Sequence, residues 1–251
     1  MTLMQQKITA IIPTLNEESN IEGAIGSLAF ADEIIVIDSF SIDKTISICK
    51  KHDVRVIQRE FDDFSSQKNY AIDRASHNWV FILDADERIS AELAQEIIDT
   101  VKNPSDFAAF NLYRTFYFKG KKIVYGGWQT DKVIRLFRKD KCRYDGKLVH
   151  ERIRCDGKTG VMKHRMDHYS YRSHEQYEGK LEFYATLQAK ELIQQHKKVT
   201  LLHRMIKPSF RFLVLYFVRF GFLDGNKGFT LARVHAKGVL QRYLNYEKLK
   251  V

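Results

Sequence analysis

The segment Trp79–Glu87, WVFILDADE, decides the fold of this chain. Its apolar residues run without interruption from Trp79 to Leu83 and end abruptly at Asp84-Ala85-Asp86. A run this short and this apolar predicts a strand that is buried on both faces, as in a parallel sheet covered by helices. The two aspartates would then stand at the carboxyl end of the strand, which is the edge where open α/β sheets bind their ligands.

The residues that precede this segment repeat the same alternation. Short runs rich in Ile and Val alternate with segments whose apolar residues recur every three to four positions. The predicted strands are Ile8–Leu15, Glu33–Asp38, Val54–Arg59 and Trp79–Asp84, and the predicted helices are Glu17–Leu28, Thr45–His52, Ser66–Ala75 and Ala91–Lys102. Asn16, Ser65 and Ser90 are the predicted N-caps of the first, third and fourth helix. Alternating strands and helices predict an α/β fold with a doubly wound sheet.

The sequence changes character after residue 106. Residues 107–172 mix aromatic, β-branched and basic side chains with Gly-containing turns, which predicts antiparallel strands and hairpins added to the sheet. Residues 173–251 are helical in pattern. The predicted helices run from Ser173, capped by Ser173 and Gln176, to His196, then around Pro208–Phe222 and Phe229–Tyr246. We therefore divide the chain into 1–106, 107–172 and 173–251.

Composition excludes several classes of protein. A chain of 251 residues with 44% hydrophobic and 29% charged residues is typical of a folded globular protein. Its three cysteines, without pair spacing, exclude a disulfide scaffold and a zinc ribbon and fit a reducing compartment. The N-terminus does not have the pattern of a secretion signal, so we expect a cytoplasmic protein. Without a Walker A loop or a G-x-G-x-x-G after a strand, P-loop phosphoryl transfer and dinucleotide redox chemistry lose support.

Charge is distributed unevenly along the chain. Residues 1–110 carry ten Lys and Arg against nineteen Asp and Glu, whereas residues 111–251 carry 31 against 12. The basic second half predicts an anionic partner, which is nucleic acid, an anionic membrane surface or a phosphorylated substrate. Binding of nucleic acid gives no reason for polar and acidic residues at three strand ends, so we expect no nucleic acid partner.

Two further polar segments would meet the Asp84-Ala85-Asp86 segment at the same edge of the sheet. Ile12–Glu18, IPTLNEE, ends the first strand, and Val36–Thr45, VIDSFSIDKT, ends the second. Two aspartates one residue apart repel each other unless a cation or hydrogen-bond donors neutralise them. Carboxylate oxygens suit Mg²⁺ or Mn²⁺, which bridge to phosphates. The sequence therefore predicts a nucleotide-sized crevice with a divalent cation.

Together these segments resemble the motifs P-x-x-N-E, V-D-D-G-S-x-D-x-T and D-A-D of the family 2 glycosyltransferases, with Ser39 and Phe40 departing from the second motif. The segments GGWQTDKVIRLFRK, KLVHERI and PSFRFLVLYFVRFGFLDGNKGF look more narrowly like bacterial lipopolysaccharide core β-1,4-glucosyltransferases. The resemblance implies a GT-A (Rossmann-like) fold, a doubly wound mixed sheet with a helical C-terminal extension. It also implies inverting transfer of a hexose, glucose above all, from a UDP-sugar to the heptose of an inner-core acceptor in Gram-negative bacteria.

The resemblance also implies the residues of the site. The nucleotide-sugar pocket would be formed by Pro13, Thr14, Asn16, Glu17, Asp38, Gln67, Lys68, Asn69, Asp84, Ala85 and Asp86. The metal ligands would be Asp84, Asp86 and His168, with Asp86 the more direct ligand of the cation on the diphosphate. A histidine on a strand is as often a packed structural residue, and His150 suits a ligand less because it adjoins the predicted base. The cation would neutralise the charge of the leaving UDP.

An inverting transfer needs a general base within hydrogen-bond reach of the acceptor hydroxyl. The acidic residues that follow the sheet are Asp131, Asp140, Asp145, Glu151, Asp156 and Asp167. Glu151, which has apolar Val149 and Ile153 two positions away on either side and matches the base position of the family, is the predicted base, and Asp131 is the alternative. Trp128 and Arg135 are predicted to bind the sugar and phosphate of the acceptor, unless they are a buried Trp and a strand-surface Arg.

The C-terminal part combines aromatic and basic residues. Its uninterrupted apolar run, Phe212–Val218, is far shorter than the ~20 residues that span a bilayer. Such a helix either lies in the headgroup plane or packs as a core helix. We predict a peripheral position on the inner face of the cytoplasmic membrane, beside a phosphorylated glycolipid acceptor. A polyprenol-phosphate sugar transferase is the alternative within the same class of enzyme.

Residues 1–106 would thus bind the nucleotide-sugar. Residues 107–172 would complete the GT-A domain on the acceptor side, and residues 173–251 would form the basic, aromatic extension.

Overall fold

The computed structural model describes residues 6–146, 151–171 and 174–250. The strands are β1 (Ile8–Thr14), β2 (Glu33–Asp38), β3 (Arg55–Gln58), β4 (Trp79–Ile82), β5 (Glu87–Arg88), β6 (Phe107–Phe118), β7 (Lys121–Ile123), β8 (Lys132–Arg138), β9 (Cys142–Tyr144), β10 (Ile153–Cys155), β11 (Lys158–Val161) and β12 (Met166–Tyr171). The α-helices are α1 (Ile21–Ser27), α2 (Thr45–Cys49), α3 (Phe64–Asp73), α4 (Ala91–Lys102), α5 (His174–Gln194), α6 (Leu201–Leu213) and α7 (Asn226–Lys250).

The chain forms two compact units. The first consists of Met1–Arg114 and Lys132–His168, and the second of Thr115–Asp131 and Tyr169–Val251. The chain passes from one unit to the other within β6, between Asp131 and Lys132, and within β12. The three-part division predicted from the sequence stays a prediction.

The first unit is built on a mixed sheet. Its strands follow the order β3-β2-β1-β4-β8-β6-β12-β5. The first four strands are parallel, with Thr14 of β1 paired to Asp38 of β2. Strand β8 runs antiparallel to both β4 and β6. The parallel register brings the carboxyl ends of β1, β2 and β4 to one edge, which confirms the predicted mixed α/β fold.

Both faces of the parallel strands are buried, as the uninterrupted apolar runs predicted. Ile12 and Phe81 face one hydrophobic layer with residues of α1 and α4, and Ile11 and Ile82 face another with Ala71 of α3. A fully buried side chain of this size contributes about 1.5–3 kcal/mol relative to exposure. The polar groups at the carboxyl edge are therefore held by a rigid, close-packed support.

Local signals at two helix starts differ from the sequence prediction. Asn16 does not cap the first helix, because it takes a left-handed conformation (φ 55°) in the turn before Ile21. Helix α3 is capped by Asp63 rather than Ser65, since the Asp63 carboxylate accepts the Ser66 N–H at 2.8 Å. Ser90 caps α4 as predicted, by accepting the Leu93 N–H.

The later part of the chain also departs from the predicted pattern. Strand β11 pairs parallel to β6, although this region was expected to be antiparallel. The helix predicted around Pro208–Phe222 instead begins at Leu201, contains Pro208, and continues as a π-helical turn over Val214–Val218. The apolar run that favoured a helix after Pro208 could not reveal its start, which Thr200 marks by donating its N–H to His203 Nδ1. The cap predicted at Ser173 lies outside the described residues.

The second unit is mainly helical. Helix α7 packs against α5 and α6, and a core of Phe116, Phe118, Ile123, Tyr177, Leu231 and Val234 fills this unit. Gly228 of α7 lies against the carbonyl of Gly221, which leaves no room for a side chain at that position. In the part of the chain that the structure describes, no helix combines the length and apolar character needed to cross a membrane.

Candidate active site

The loops that follow β1 and β2 interlock through hydrogen bonds. Asn16 donates its N–H to Ser41 Oγ at 2.8 Å and accepts the Ile42 N–H at its side-chain oxygen at 2.9 Å. Glu17 donates its N–H to Thr45 Oγ1 at 2.8 Å. The two loops, which contain two of the three polar segments found in the sequence, therefore form one rigid surface at the carboxyl edge of the sheet.

Asp38 is the buried centre of this surface. Its carboxylate is fully enclosed and accepts hydrogen bonds from the Ser41 N–H and, at 3.2 Å, from Gln58 Nε2. On the neighbouring strand, the buried Thr14 Oγ1 has no hydrogen-bond partner among the described residues. Because a buried polar atom is costly to leave unpaired, this hydroxyl marks a place where a polar ligand would be stabilised. Pro13, beside it, is half-buried.

Helix α3 contributes three consecutive polar side chains, each with a different partner. Gln67 donates to Ser39 Oγ at 3.0 Å, which connects α3 to the loop after β2. Asn69 exchanges two hydrogen bonds with the backbone of Tyr144, which connects α3 to β9. Between them, Lys68 lies buried over the ring of Tyr144, with Nζ 5.1 Å from the ring centroid.

The Lys68 ammonium joins two carboxylates that are distant in sequence. Its Nζ lies 2.7 Å from Glu151 Oε1 and 3.9 Å from Asp84 Oδ1. Burial alone would lower the pKa of Lys68, but the neighbouring Tyr144, Asp84 and Glu151 raise it above its usual range. Lys68 is therefore a permanent cation between the predicted base and the D-A-D segment.

Arg135 forms the second cationic centre of the site. Its side chain is buried, and one nitrogen contacts Asp84 Oδ2 at 2.5 Å and Glu87 Oε1 at 2.6 Å. Glu87 is fully buried and also meets Arg114 at 3.4 Å. Burial would raise the pKa of Asp84, but Arg135 and then Lys68 hold it well below its usual range. Asp84 is thus a partly exposed carboxylate that contacts two protein cations, Arg135 and Lys68.

Asp86 and His168 form a separate pair. Asp86 is largely buried, and its Oδ2 lies 3.5 Å from His168 Nε2, across the β12–β5 pairing that sets His168 opposite Glu87. Among the described residues, no three His, Cys, Asp or Glu side chains converge to hold a metal ion by themselves. A carboxylate and an imidazole nevertheless suit a divalent cation that takes its other ligands from a diphosphate and water. Asp86 and His168 thus fit the predicted cation, while Asp84 faces protein cations instead.

The remaining predicted residues divide between the two units. Glu151 and Arg135 lie in the first unit, at the site just described, and Arg135 is occupied by the D-A-D segment and Glu87. Trp128 and Asp131 belong to the second unit, where Trp128 stacks on Phe116 with ring centroids 4.2 Å apart. Their acceptor and base roles stay predictions. His150 lies outside the described residues.

Sequence reasoning missed several residues that organise the site. Asp43 accepts hydrogen bonds from the backbone of Glu18 and Thr45, and both Asp43 and Thr45 belong to the D-x-T end of the second motif. The second motif was therefore the sequence feature that could have identified Asp43 and Thr45. Glu87 and Arg114 gave no local signal, because their importance comes from burial beside Arg135.

Comparison with known proteins shows the family to which this chain belongs. The sequence model described as Glycosyl transferase family 2 matches residues 9–155, which is more than half of the chain. The chain belongs to glycosyl transferase family 2. An uncharacterised glycosyltransferase of Rickettsia typhi is 30% identical over 98% of this chain and 87% of its own length. The lipopolysaccharide core biosynthesis glycosyltransferase LpsC of Rhizobium meliloti is 26% identical over 94% of this chain and 93% of its own length.

A solved structure of another enzyme overlaps this chain in part. Glucosyl-3-phosphoglycerate synthase from Mycobacterium tuberculosis, in complex with Mn²⁺, UDP and phosphoglyceric acid, aligns with a TM-score of 0.38 and 22% identity. The alignment covers 44% of this chain and 43% of that protein. Membership of family 2 confirms the prediction of a glycosyltransferase, and the carboxyl edge of the sheet, where the family motifs meet, is its candidate active site.

Proposed function

We propose that this glycosyltransferase moves a hexose, glucose in the first instance, from a UDP-sugar to the inner-core heptose of a lipopolysaccharide acceptor, with inversion. The observation that carries this proposal is the joining of Glu151 and the D-A-D segment through Lys68. A base on one side and a nucleotide motif on the other, within one hydrogen-bonded cluster, is the arrangement that a single displacement at the sugar carbon requires.

Three groups would act on the donor. Asp86 and His168 would hold a divalent cation, and that cation would neutralise charge on the departing diphosphate. Asp38 and the unpaired Thr14 hydroxyl would receive polar groups of the nucleoside at the ends of β1 and β2. Pro13, Asn16 and Glu17 would shape the same pocket, because their loop is held rigidly against the loop after β2.

Glu151 would accept the proton of the attacking acceptor hydroxyl. Lys68 keeps a positive charge beside it and orients the carboxylate through the 2.7 Å hydrogen bond to Oε1. The bond from the acceptor oxygen to the sugar carbon forms as the bond to the diphosphate breaks, so the configuration inverts. Base catalysis of this kind contributes about 10²–10⁴-fold to a rate.

The acceptor class is supported by the similarity to LpsC over nearly the whole of both chains, since LpsC carries the name of a lipopolysaccharide core biosynthesis enzyme. A lipid-linked acceptor is present only at a membrane. We therefore also propose that the enzyme works at the inner face of the cytoplasmic membrane, consistent with the basic second half of the chain.

The test is release of UDP from UDP-glucose, UDP-galactose and UDP-N-acetylglucosamine with Mn²⁺, with and without lipopolysaccharide truncated after its inner-core heptose. We expect release from UDP-glucose that depends on the acceptor and is lost in Glu151→Gln. Asp156→Asn, an exposed acid on the next turn of the chain, is the control that should retain activity. Transfer of the sugar to a polyprenol phosphate in place of the lipopolysaccharide would show that the proposed acceptor is wrong. Turnover that is unchanged in Glu151→Gln would show that Glu151 is not the base.

A further inference from the structure

Helix α6 of the second unit has two chemically different sides. The residues that recur on one side at helical spacing are apolar, namely Leu201, Leu202, Met205, Ile206, Phe210 and Leu213. This side is exposed along its whole length, with Leu202 63%, Met205 66% and Phe210 61% accessible to solvent. The helix therefore presents its apolar side outwards.

The opposite side of α6 is polar and faces α7. Arg204 forms an ion pair with Glu247 of α7 at 2.8 Å, and the ring of His203 lies 5.8 Å from that of Tyr243, also on α7. Burial, followed by the charge of Arg219, lowers the pKa of Arg211. A helix on the surface of a globular protein normally turns its apolar side to the core and its charges to water. Helix α6 does the reverse.

The exposed apolar surface continues beyond the helix. Phe217, Val218, Phe220, Phe222 and Leu223 follow α6 in sequence and are each at least 43% exposed. We call α6 together with these residues the apolar ridge. A continuous apolar surface of this length on one element is typical of a surface that is covered in the working protein.

We propose that the apolar ridge inserts into the headgroup region of an anionic lipid bilayer and anchors the enzyme there. Exposed Leu, Met and Phe side chains would enter the acyl boundary, while Lys207 and Arg219, the exposed basic residues of α6 and of the turn after it, would contact lipid phosphates. This proposal deepens the membrane location put forward above, and it assigns the anchor to α6 and the π-helical turn that follows it.

The charge of the segment selects lipid over a second protein copy. Residues 195–251 contain twelve Lys and Arg against two acidic residues. Two copies that met through this segment would bring two strongly basic surfaces together, which costs free energy at low ionic strength. Anionic lipid complements the same charge, because each basic residue near the surface is attracted to the lipid phosphates.

The experiment is co-sedimentation of the full chain with vesicles of phosphatidylcholine alone or mixed with phosphatidylglycerol, in the absence of donor and acceptor. We expect binding to the mixed vesicles only, weakened by salt. Met205→Asp combined with Phe210→Asp should reduce binding at least about tenfold, because each change removes a side chain whose insertion excludes water. Val161→Asp, at an exposed apolar residue of the first unit, should bind as the original chain does.

A second readout tests insertion directly. Phe210→Trp should be quenched by brominated phosphatidylcholine in mixed vesicles, whereas the unchanged chain, whose tryptophans are Trp79 and Trp128, should show no such quenching. The proposal is overturned if the double variant sediments like the original chain. It is equally overturned if the original chain is a dimer that the double variant dissociates, because the ridge would then be a protein interface. Neither result depends on sugar transfer, which the UDP-release test decides separately.

Discussion

The buried Lys68 forms an ion pair with the partly exposed Glu151 in which Nζ lies 2.7 Å from Oε1, and the same ammonium faces Asp84 at 3.9 Å. A lysine in this position separates two carboxylates that would otherwise repel each other across the site. It also places a fixed positive charge where a sugar diphosphate would bring negative charge. The ion pair therefore links Glu151, the proposed base, to the D-A-D segment, where we propose that the donor binds.

Replacing Lys68 with Met should lower kcat by about 10²-fold, because Glu151 would lose the donor that orients it and Asp84 would lose a neighbouring cation. Lys68→Arg should retain more activity, since it keeps the charge. The measurement is steady-state UDP release at saturating acceptor for both variants. Lys158→Met, which removes an exposed lysine paired with the exposed Asp106, is the matched control. Equal kcat values for Lys68→Met and the original chain would show that Lys68 does not orient Glu151 for catalysis.

Asp86→Asn and His168→Gln should each abolish the part of the thermal stabilisation by UDP that depends on Mn²⁺. A ligand that binds the folded state stabilises it by about 2.7 kcal/mol at a hundred times its dissociation constant, so the effect is measurable. The readout is the melting temperature with UDP, with Mn²⁺, and with both. Asp140→Asn changes an exposed aspartate that is paired to Arg138 and should leave the effect intact. A Mn²⁺-dependent shift that survives both substitutions would place the cation elsewhere.

Acid should destabilise the first unit partly through Asp84. Its folded-state pKa is held below the ordinary value of 3.8 by Arg135 and Lys68, against the opposing effect of burial. A carboxylate of this kind contributes stability above its unfolded pKa, and the contribution is lost as the pH falls below 3.8 towards the folded value. Lys68, whose pKa is raised from 10.5, loses its contribution only in strongly alkaline solution.

The measurement is the melting temperature between neutral and strongly acidic pH for the original chain and for Asp84→Asn. The variant should be less stable at neutral pH and should lose less stability on acidification. Asp53→Asn, at an exposed aspartate, should follow the original curve. If the melting temperatures of the original chain and of Asp84→Asn fall in parallel as the pH falls, protonation of Asp84 does not contribute to the loss of stability in acid.

Gly228→Ala should destabilise the second unit by about 1–3 kcal/mol or more, because the added methyl group would fall on the carbonyl oxygen of Gly221 and the backbone would have to move. Gly238, in the same helix, offers the matched control. A methyl group there would meet Leu181 Cβ at an ordinary 3.7 Å, so Gly238→Ala should stabilise α7 by up to about 1 kcal/mol. The free energy of unfolding of both variants is measured by chemical denaturation. A similar loss of stability in both would contradict the close contact between Gly228 and the Gly221 carbonyl.

The parallel half of the sheet could be predicted from the sequence because the uninterrupted apolar run of each strand indicates that the strand is buried on both faces. Ile11 and Ile12 are both apolar and lie on opposite faces, so the run itself indicates cover on both sides. The polar loops at the strand ends could also be found locally, because polar residues follow each apolar run directly. The family motifs then predicted the residues that meet there.

What could not be predicted arises from contacts between distant segments. Arg135 looked like a surface or phosphate-binding arginine, and only the fold shows it buried between Asp84 and Glu87. The parallel pairing of β11 likewise depends on β6, which lies about fifty residues earlier. In α6, amphipathic spacing is visible in the sequence, but the spacing does not tell which side faces the protein.

The ion pair of Lys68 and Glu151 joins residues that are 83 positions apart. Closing a loop of that length costs chain entropy before any contact compensates it, so we expect this pair to form after the local strand–helix–strand units that precede it. The units formed by β1 to β4 and their helices can therefore assemble early, while the contact of Glu151, the proposed base, would be completed later. With Glu151 as the proposed base, we expect catalytic competence to arise late in folding, so that a partly folded chain has its motif residues before its proton acceptor is in place.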